Sequence, residues 1–268
     1  METTKTAVHF TDNYLLNPTN PISVNLIGAG GTGSKVLTAL MEMNHSLMEL
    51  GHAGLQVRLW DDDIITTANL GRQRFFESEI GLYKSVALIN RINRCIGTNW
   101  KAETVKFEKD KFGRTPEKAS AIITITCVDN VQARFGVAEI LKEINNHRHY
   151  RDTPKYWLDF GNSRDTGQVL LSTIGAIKQP NSEKYETVAS LPLVTDEFGE
   201  LLKQSEQEDN TPSCSLAEAL EHQDLFINSS LTQMGCSLLW SLFRRGMTEY
   251  KGFFHNLKDF QTHPIKVA

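Results

Sequence analysis

Val24-Asn25-Leu26-Ile27-Gly28-Ala29-Gly30-Gly31-Thr32-Gly33 is the stretch on which the reading of the whole chain turns. Val24, Leu26 and Ile27 read as a short buried strand. The glycines let the backbone turn tightly and approach a phosphate at the start of the following helix. The pattern fits G-x-G-x-x-G, which NAD and FAD enzymes, methyltransferases and other doubly wound domains share. A glycine-rich turn of this kind can also do no more than pack a helix on a strand.

The residues downstream narrow the chemistry. Leu55, Val57, Leu59 and Trp60 predict a second strand that ends in Asp61-Asp62-Asp63. Asn69-Leu70-Gly71-Arg72-Gln73 follows, with Gly81 and Lys84 beyond, so the pattern is D-x-D-x5-N-x-x-R-Q and then G-x-x-K. An acidic residue at the end of the second strand, here Asp61, can bind ribose hydroxyls. Hydride transfer has no evident need for Asn69, Arg72 and Lys84 together. They suit the polyphosphate of ATP, with arginine as a planar fork, lysine as a compact charge and asparagine as a neutral hydrogen-bonding partner.

These residues resemble the ThiF/MoeB superfamily of ubiquitin-activating-type enzymes, and in detail most resemble the ThiF-related family of bacterial PRTRC cassettes. The resemblance is strong from Ile22 to about Asn146 and looser from Pro212 onward. It implies a Rossmann-like α/β adenylation domain that binds ATP, with a mixed sheet and helices on both faces. It also implies that Gly28, Gly30, Gly31 and Gly33 form the phosphate turn and that Asp61 holds the ribose. Asp63, Asn69, Arg72, Gln73 and Lys84 would then line the ATP site. Cys127-Val128-Asp129-Asn130 matches the family's C-x-D-N step, which implies Asp129 near Mg2+ and the pyrophosphate. Related dimeric enzymes reach into the partner's ATP site with an arginine near the N-terminus. The first arginine here is Arg58, which leaves Lys5 as a substitute or the finger missing.

Composition agrees. The chain has 268 residues, 40% hydrophobic and 22% charged, with a formal net charge of -4. That suits one globular α/β domain and disfavours a general nucleic-acid role, since there is no basic excess to neutralise phosphates. No run of about 18 apolar residues is present, and the N-terminus lacks the plan of a signal peptide, so a cytoplasmic protein without a membrane role is expected. Cys95, Cys127, Cys214 and Cys236 form no C-x-x-C pair. No structural zinc is therefore expected, unlike the MoeB branch. His147 and His149, beside Arg148 and Arg151, read as a solvated loop.

Along the chain, residues 1–21 are polar and read as an arm, 22–177 as the nucleotide-binding adenylation core, 178–212 as a crossover loop, and 213–268 as the remainder of the same domain. Apolar spacing predicts helices from Gly33 to about Leu50, Leu82 to Cys95, Val131 to Asn145 and Leu225 to Phe243. Strands are expected at Glu103 to Phe107, Ala121 to Cys127, Tyr156 to Leu158, Gln168 to Ile174, Gly252 to Leu257 and Gln261 to Val267, some of them antiparallel. Asp110 to Lys118 reads as helix or loop. Arg134 is left between a lean toward the site and a surface ion pair. Met234 and Trp240 read as core or dimer-interface residues. The polar 178–212 segment reads as a long loop, and by resemblance it is the crossover over which a partner's C-terminal tail is threaded.

The expected reaction is ATP-dependent adenylation of the C-terminal carboxylate of a small ubiquitin-like or sulfur-carrier protein by a homodimer. Arg72, Lys84 and Asp129 would stabilise charge there. Cys214 lies in Pro212-Ser213-Cys214-Ser215, ahead of a predicted Leu216 to Leu220 helix whose N-terminal amides favour a thiolate. That segment, with Met234-Gly235 downstream, resembles the catalytic-cysteine segment of the smaller ubiquitin-activating enzymes and implies a thioester step. Cys95, Cys127 and Cys236 read as packed thiols. Two other readings stay open on the sequence: a protein that binds a ubiquitin-like partner without turnover, and an NAD-dependent oxidoreductase.

Overall fold

The computed structural model describes residues 5–71, 73–146, 152–205 and 223–267. Its strands are β1 Thr6–Phe10, β2 Ile22–Ile27, β3 Leu55–Trp60, β4 Lys101–Glu103, β5 Ile123–Thr126, β6 Tyr156–Asn162, β7 Thr166–Thr173, β8 Tyr185–Thr187, β9 Met247–Thr248, β10 Tyr250–Asn256 and β11 Gln261–Lys266. Its helices are α1 Asn13–Leu16, α2 Gly33–Glu49, α3 Lys84–Ile96, α4 Val131–Asn146, α5 Val194–Glu197, α6 Gly199–Ser205 and α7 Ile227–Arg245.

The main sheet runs β11-β10-β7-β6-β5-β2-β3-β4. From β6 through β5, β2 and β3 to β4 every pairing is parallel, and from β6 outward to β11 every pairing is antiparallel. The α/β fold with a mixed sheet is therefore as the sequence predicts. Successive residues of a strand face opposite sides. Leu158 and Leu171 join one core with Leu37, Leu40, Ala87, Leu88 and Leu239 of α2, α3 and α7, while Trp157 and Leu170 join a second with Val137, Leu141 and Val194 of α4 and α5. Helices thus cover both faces.

α2 buries Val36, Leu37, Leu40, Met43 and Leu47, the spacing that predicts it, and Gly51 follows in the left-handed region. Met234 and Trp240 pack, partly buried, against the first core.

Several expectations are corrected. The strand placed at Glu103 to Phe107 is three residues long and ends at Glu103, where its pairing with Trp60 stops. The stretch read as an N-terminal arm folds onto the body: β1 lies between β8 and β9, and Val8 and Leu15 are fully buried. Most of the segment read as a long loop is ordered, because β8 pairs with β1 while Leu191, Leu193, Val194 and Leu202 enter the cores. Two of its acidic residues serve as outer fastenings, Glu197 to Lys251 at 2.7 Å and Asp196 to Lys142 at 3.0 Å. Residues 206–212 lie outside the described residues, as do His147 and His149.

Candidate functional site

The carboxyl ends of β2, β3 and β5 open on one side of the sheet, where ligands bind in open α/β folds. The glycine turn leaves β2 there. Gly28 has φ +94°, and a Cβ on it would lie 2.6 Å from the Cys127 carbonyl oxygen, so the turn is pressed against the end of β5. A Cβ on Gly33 would overlap the Gly28 carbonyl oxygen, whereas the space beside Gly30 is open. Among the described residues the amides of Gly30, Gly31, Thr32 and Gly33 meet no acceptor, and the Thr32 side chain does not cap α2. The turn leading into the 17-residue α2 thus offers four free amides to an anion, while those of Ser34 and Lys35 donate to the Gly30 and Thr32 carbonyls.

Asp61 stands at the end of β3 and closes the turn from one side. Its Oδ2 accepts from the Ala29 amide at 2.6 Å and its Oδ1 from the Asp63 amide at 3.0 Å. Burial raises its pKa, and the Ala29 amide and Lys84 oppose that rise. Asp63 in turn accepts from Lys84 Nζ at 2.6 Å, and the Lys84 amide donates to the Asp63 carbonyl at 2.9 Å. Lys84, the first residue of α3, is 6% exposed, while the Asp63 side chain is 64% exposed. The ammonium is therefore held at the mouth of the site by a carboxylate that can be hydrated when the lysine turns to another anion.

The loop from 64 to 73 carries the other expected ligands. Asn69 Oδ1 accepts from the Thr66 amide at 2.8 Å and the Thr66 hydroxyl at 3.2 Å, so its carbonyl end folds the loop and only its NH2 end is left for a ligand. Gln73 is 8% exposed, and its buried Oε1 has no hydrogen-bond partner. Arg72 lies outside the described residues, as do Cys214 and the residues around it.

Asp129 is exposed, two residues beyond Cys127, whose amide donates to the Ile27 carbonyl at 2.8 Å. The structure thus joins the glycine turn, Asp61, Asp63 and Lys84 in one chain of hydrogen bonds and sets Asp129 just beyond the end of the neighbouring β5, with no hydrogen bond or ion pair to Lys84.

Two groups around the site were missed or misplaced by sequence reasoning. Arg134 is neither a surface residue nor directed at a ligand: it is 5% exposed and paired with Asp159 at 3.1 Å. Its position between Val131 and Val137 on the buried face of α4, and a charge within the apolar strand Tyr156–Phe160, were the available signals. Asn228, at the start of α7, touches Gly31, and no local pattern links residues so distant in sequence. Of the cysteines, Cys95 is exposed and so is not a packed thiol. The Cys127 thiol is enclosed and its pKa raised well above the usual value, and burial pushes Cys236 up to about 12. Lys5 donates to the Ser182 carbonyl of its own chain at 3.3 Å.

The ThiF family profile matches residues 14–266. The chain belongs to the ThiF family. No curated protein matches it in sequence. Among solved structures, this ThiF-family chain is similar to E. coli MccB at 13% identity and TM-score 0.59, with 95% of the chain and 63% of MccB covered. It is similar to PaaA at 12% identity and TM-score 0.60, covering 92% of the chain and 73% of PaaA. The structure of MccB with ATP matches at 15% identity and TM-score 0.54, over 95% of the chain and 65% of MccB. The chain spans less than two thirds of MccB's length, and at these identities the likeness is one of fold. No helix among the described residues is long and apolar enough to cross a membrane.

Proposed function

We propose that this ThiF-family protein uses ATP to adenylate the C-terminal carboxylate of a small ubiquitin-like or sulfur-carrier protein. One observation carries the reading: a glycine turn with unpartnered amides at a helix N-terminus, bounded by Asp61 on the Ala29 amide and by Lys84 held at Asp63. A dinucleotide site has use for the turn and Asp61 but none evident for the buried ammonium of Lys84. MccB, a microcin C7 biosynthetic enzyme, has been solved with ATP and with N-formylated MccA, which supports a fold that takes a nucleotide and a partner molecule.

In the proposed reaction a carboxylate oxygen of the partner attacks the α-phosphorus. The bond from that phosphorus to the bridging oxygen breaks, and pyrophosphate leaves with the electron pair. The nucleophile is ionised near neutral pH, so no general base is required. The turn amides hold the phosphates, Asp61 the ribose hydroxyls, and Lys84 with Arg72 meets the charge that grows on phosphate oxygens. The NH2 of Asn69 and the unpartnered Oε1 of Gln73 are the remaining polar groups for the nucleotide.

Among the described residues no group of three or more His, Cys, Asp or Glu is placed to hold a metal ion. Mg2+ is commonly held by one or two carboxylates together with substrate phosphates, so the exposed Asp129 is a sufficient protein donor. When bound there, Mg2+ would neutralise charge on the pyrophosphate.

The proposal extends to a cytoplasmic homodimer of the PRTRC branch and to a thioester on Cys214, whose thiolate would attack the acyl carbon of the adenylate, breaking its bond to the phosphate oxygen and releasing AMP. A second reading, partner binding without turnover, is favoured by Lys5, whose ammonium lies on its own chain rather than projecting as a finger. Exchange of labelled pyrophosphate into ATP with the carrier present separates the two. Exchange supports adenylation. ATP binding without exchange, at every carrier concentration, leaves the binding role.

A further inference from the structure

Asn228 and the glycine turn are locked together inside the protein. The Thr32 hydroxyl donates to Asn228 Oδ1 at 2.8 Å, with both residues buried, and Asn228 Nδ2 donates to Gln223 Oε1 at 3.0 Å. A Cβ on Gly31 would lie 2.5 Å from Asn228 Nδ2, so the amide fills the space a side chain at position 31 needs. The first turn of α7 is itself braced. Asp224 Oδ1 accepts from the Phe226 and Ile227 amides at 2.7 and 3.2 Å, and the Thr232 hydroxyl donates to the Asn228 carbonyl at 2.7 Å.

Thr32 sits immediately before α2, where a threonine hydroxyl ordinarily accepts from the helix's own amides. Here it makes no such bond and turns instead to Asn228. The amides that such a cap would meet, those of Ser34 and Lys35, already donate to the Gly30 and Thr32 carbonyls, so the free amides are those of the turn itself, from Gly30 to Gly33.

We propose that Asn228 is a positioning residue for the nucleotide: by engaging the Thr32 hydroxyl and filling the space beside Gly31, it holds the turn in its anion-accepting form. The inference rests on the ATP reading of the turn and extends it to the far end of the chain. Linkage then requires the reverse effect, so that ATP tightens the start of α7.

The test measures ATP binding by calorimetry and hydrogen exchange of the 223–232 amides. Wild-type protein should bind ATP, and ATP should slow exchange across 223–232. Asn228→Ala leaves the Thr32 hydroxyl without its acceptor and opens the space beside Gly31, and should weaken ATP roughly five- to tenfold, the worth of one neutral hydrogen bond. Adding Thr32→Val to that variant removes a hydroxyl that already lacks its acceptor and should cost little more, whereas two independent structural losses would add. Wild-type affinity in Asn228→Ala, or a full further loss on adding Thr32→Val, overturns the inference alone. A wild-type protein that binds no ATP overturns the nucleotide reading and the inference with it. The exchange measurement uses the wild-type chain, so unchanged 223–232 amides on ATP binding overturn the inference even if Asn228→Ala does not fold.

Discussion

Arg134 Nε lies 3.1 Å from both carboxylate oxygens of Asp159, in an ion pair whose side chains are 6% and 1% exposed. Asp159 also accepts from the Thr126 hydroxyl, which accepts from Trp157 Nε1, and Arg134 Nη2 donates to the carbonyls of Val128 and Phe160. The pair therefore ties β5, β6 and α4 together beneath the Val128–Asn130 segment that carries Asp129. Removing one member leaves a buried charge alone. Arg134→Ala or Asp159→Ala should each cost about 3–5 kcal/mol in urea unfolding, while the joint change Arg134→Met with Asp159→Leu should cost far less. Equal losses in the single and joint variants would show that the charges are not the cause.

Lys84→Ala and Asp129→Ala should each lower pyrophosphate exchange by about two to three decades, the usual size of a lost electrostatic contact to a transition state. Asp63 is largely exposed, so its carboxylate is hydrated once Lys84 is gone and unfolding midpoints should move little. Wild-type exchange in Asp129→Ala would sink the assignment of that residue.

Stability should fall on acidification in a way that depends on His9. Val188 carbonyl can only accept, so His9 Nδ1 carries the proton at 2.7 Å, and Nε2 accepts from the Tyr156 hydroxyl at 3.0 Å. Burial lowers the His9 pKa below its usual 6.5, against the opposing pull of Val188 and Asp12. The unfolded chain then binds more protons between the folded pKa and 6.5, and stability rises with pH across that window. It is fully present above 6.5 and lost as pH falls below it. In His9→Gln the urea midpoint should change less between pH 7.5 and pH 5.5 than in the wild type. Identical slopes would remove His9 as the cause.

Cys214→Ala should keep pyrophosphate exchange and lose any thiol-sensitive adduct with the carrier on a non-reducing gel. The enclosed Cys127 and Cys236 thiols are poor alternatives, because burial disfavours their thiolates. The exposed Cys95 is the proper control. An adduct that survives Cys214→Ala and disappears in Cys95→Ala would move the acceptor to α3.

The glycine turn was legible in the chain because its marks lie within one segment: Gly28 takes φ +94°, a Cβ on Gly33 would overlap the Gly28 carbonyl oxygen, and Asp61 and Lys84 each end or begin a regular element. The helices at Gly33–Glu49 and Lys84–Ile96 likewise follow from apolar spacing within one segment. What escaped reading depends on partners far away in sequence. The 178–205 segment looks like a loop by composition, and β8 exists only because β1, at the other end of the chain, supplies its hydrogen bonds. Arg134 and Asp159 are ordinary charges until β5, β6 and α4 close around them and exclude the water that would otherwise solvate both. Asn228 meets Gly31 only because α7 packs beside α2, and burial of that contact gives each residue a partner that no pattern within its own segment could announce.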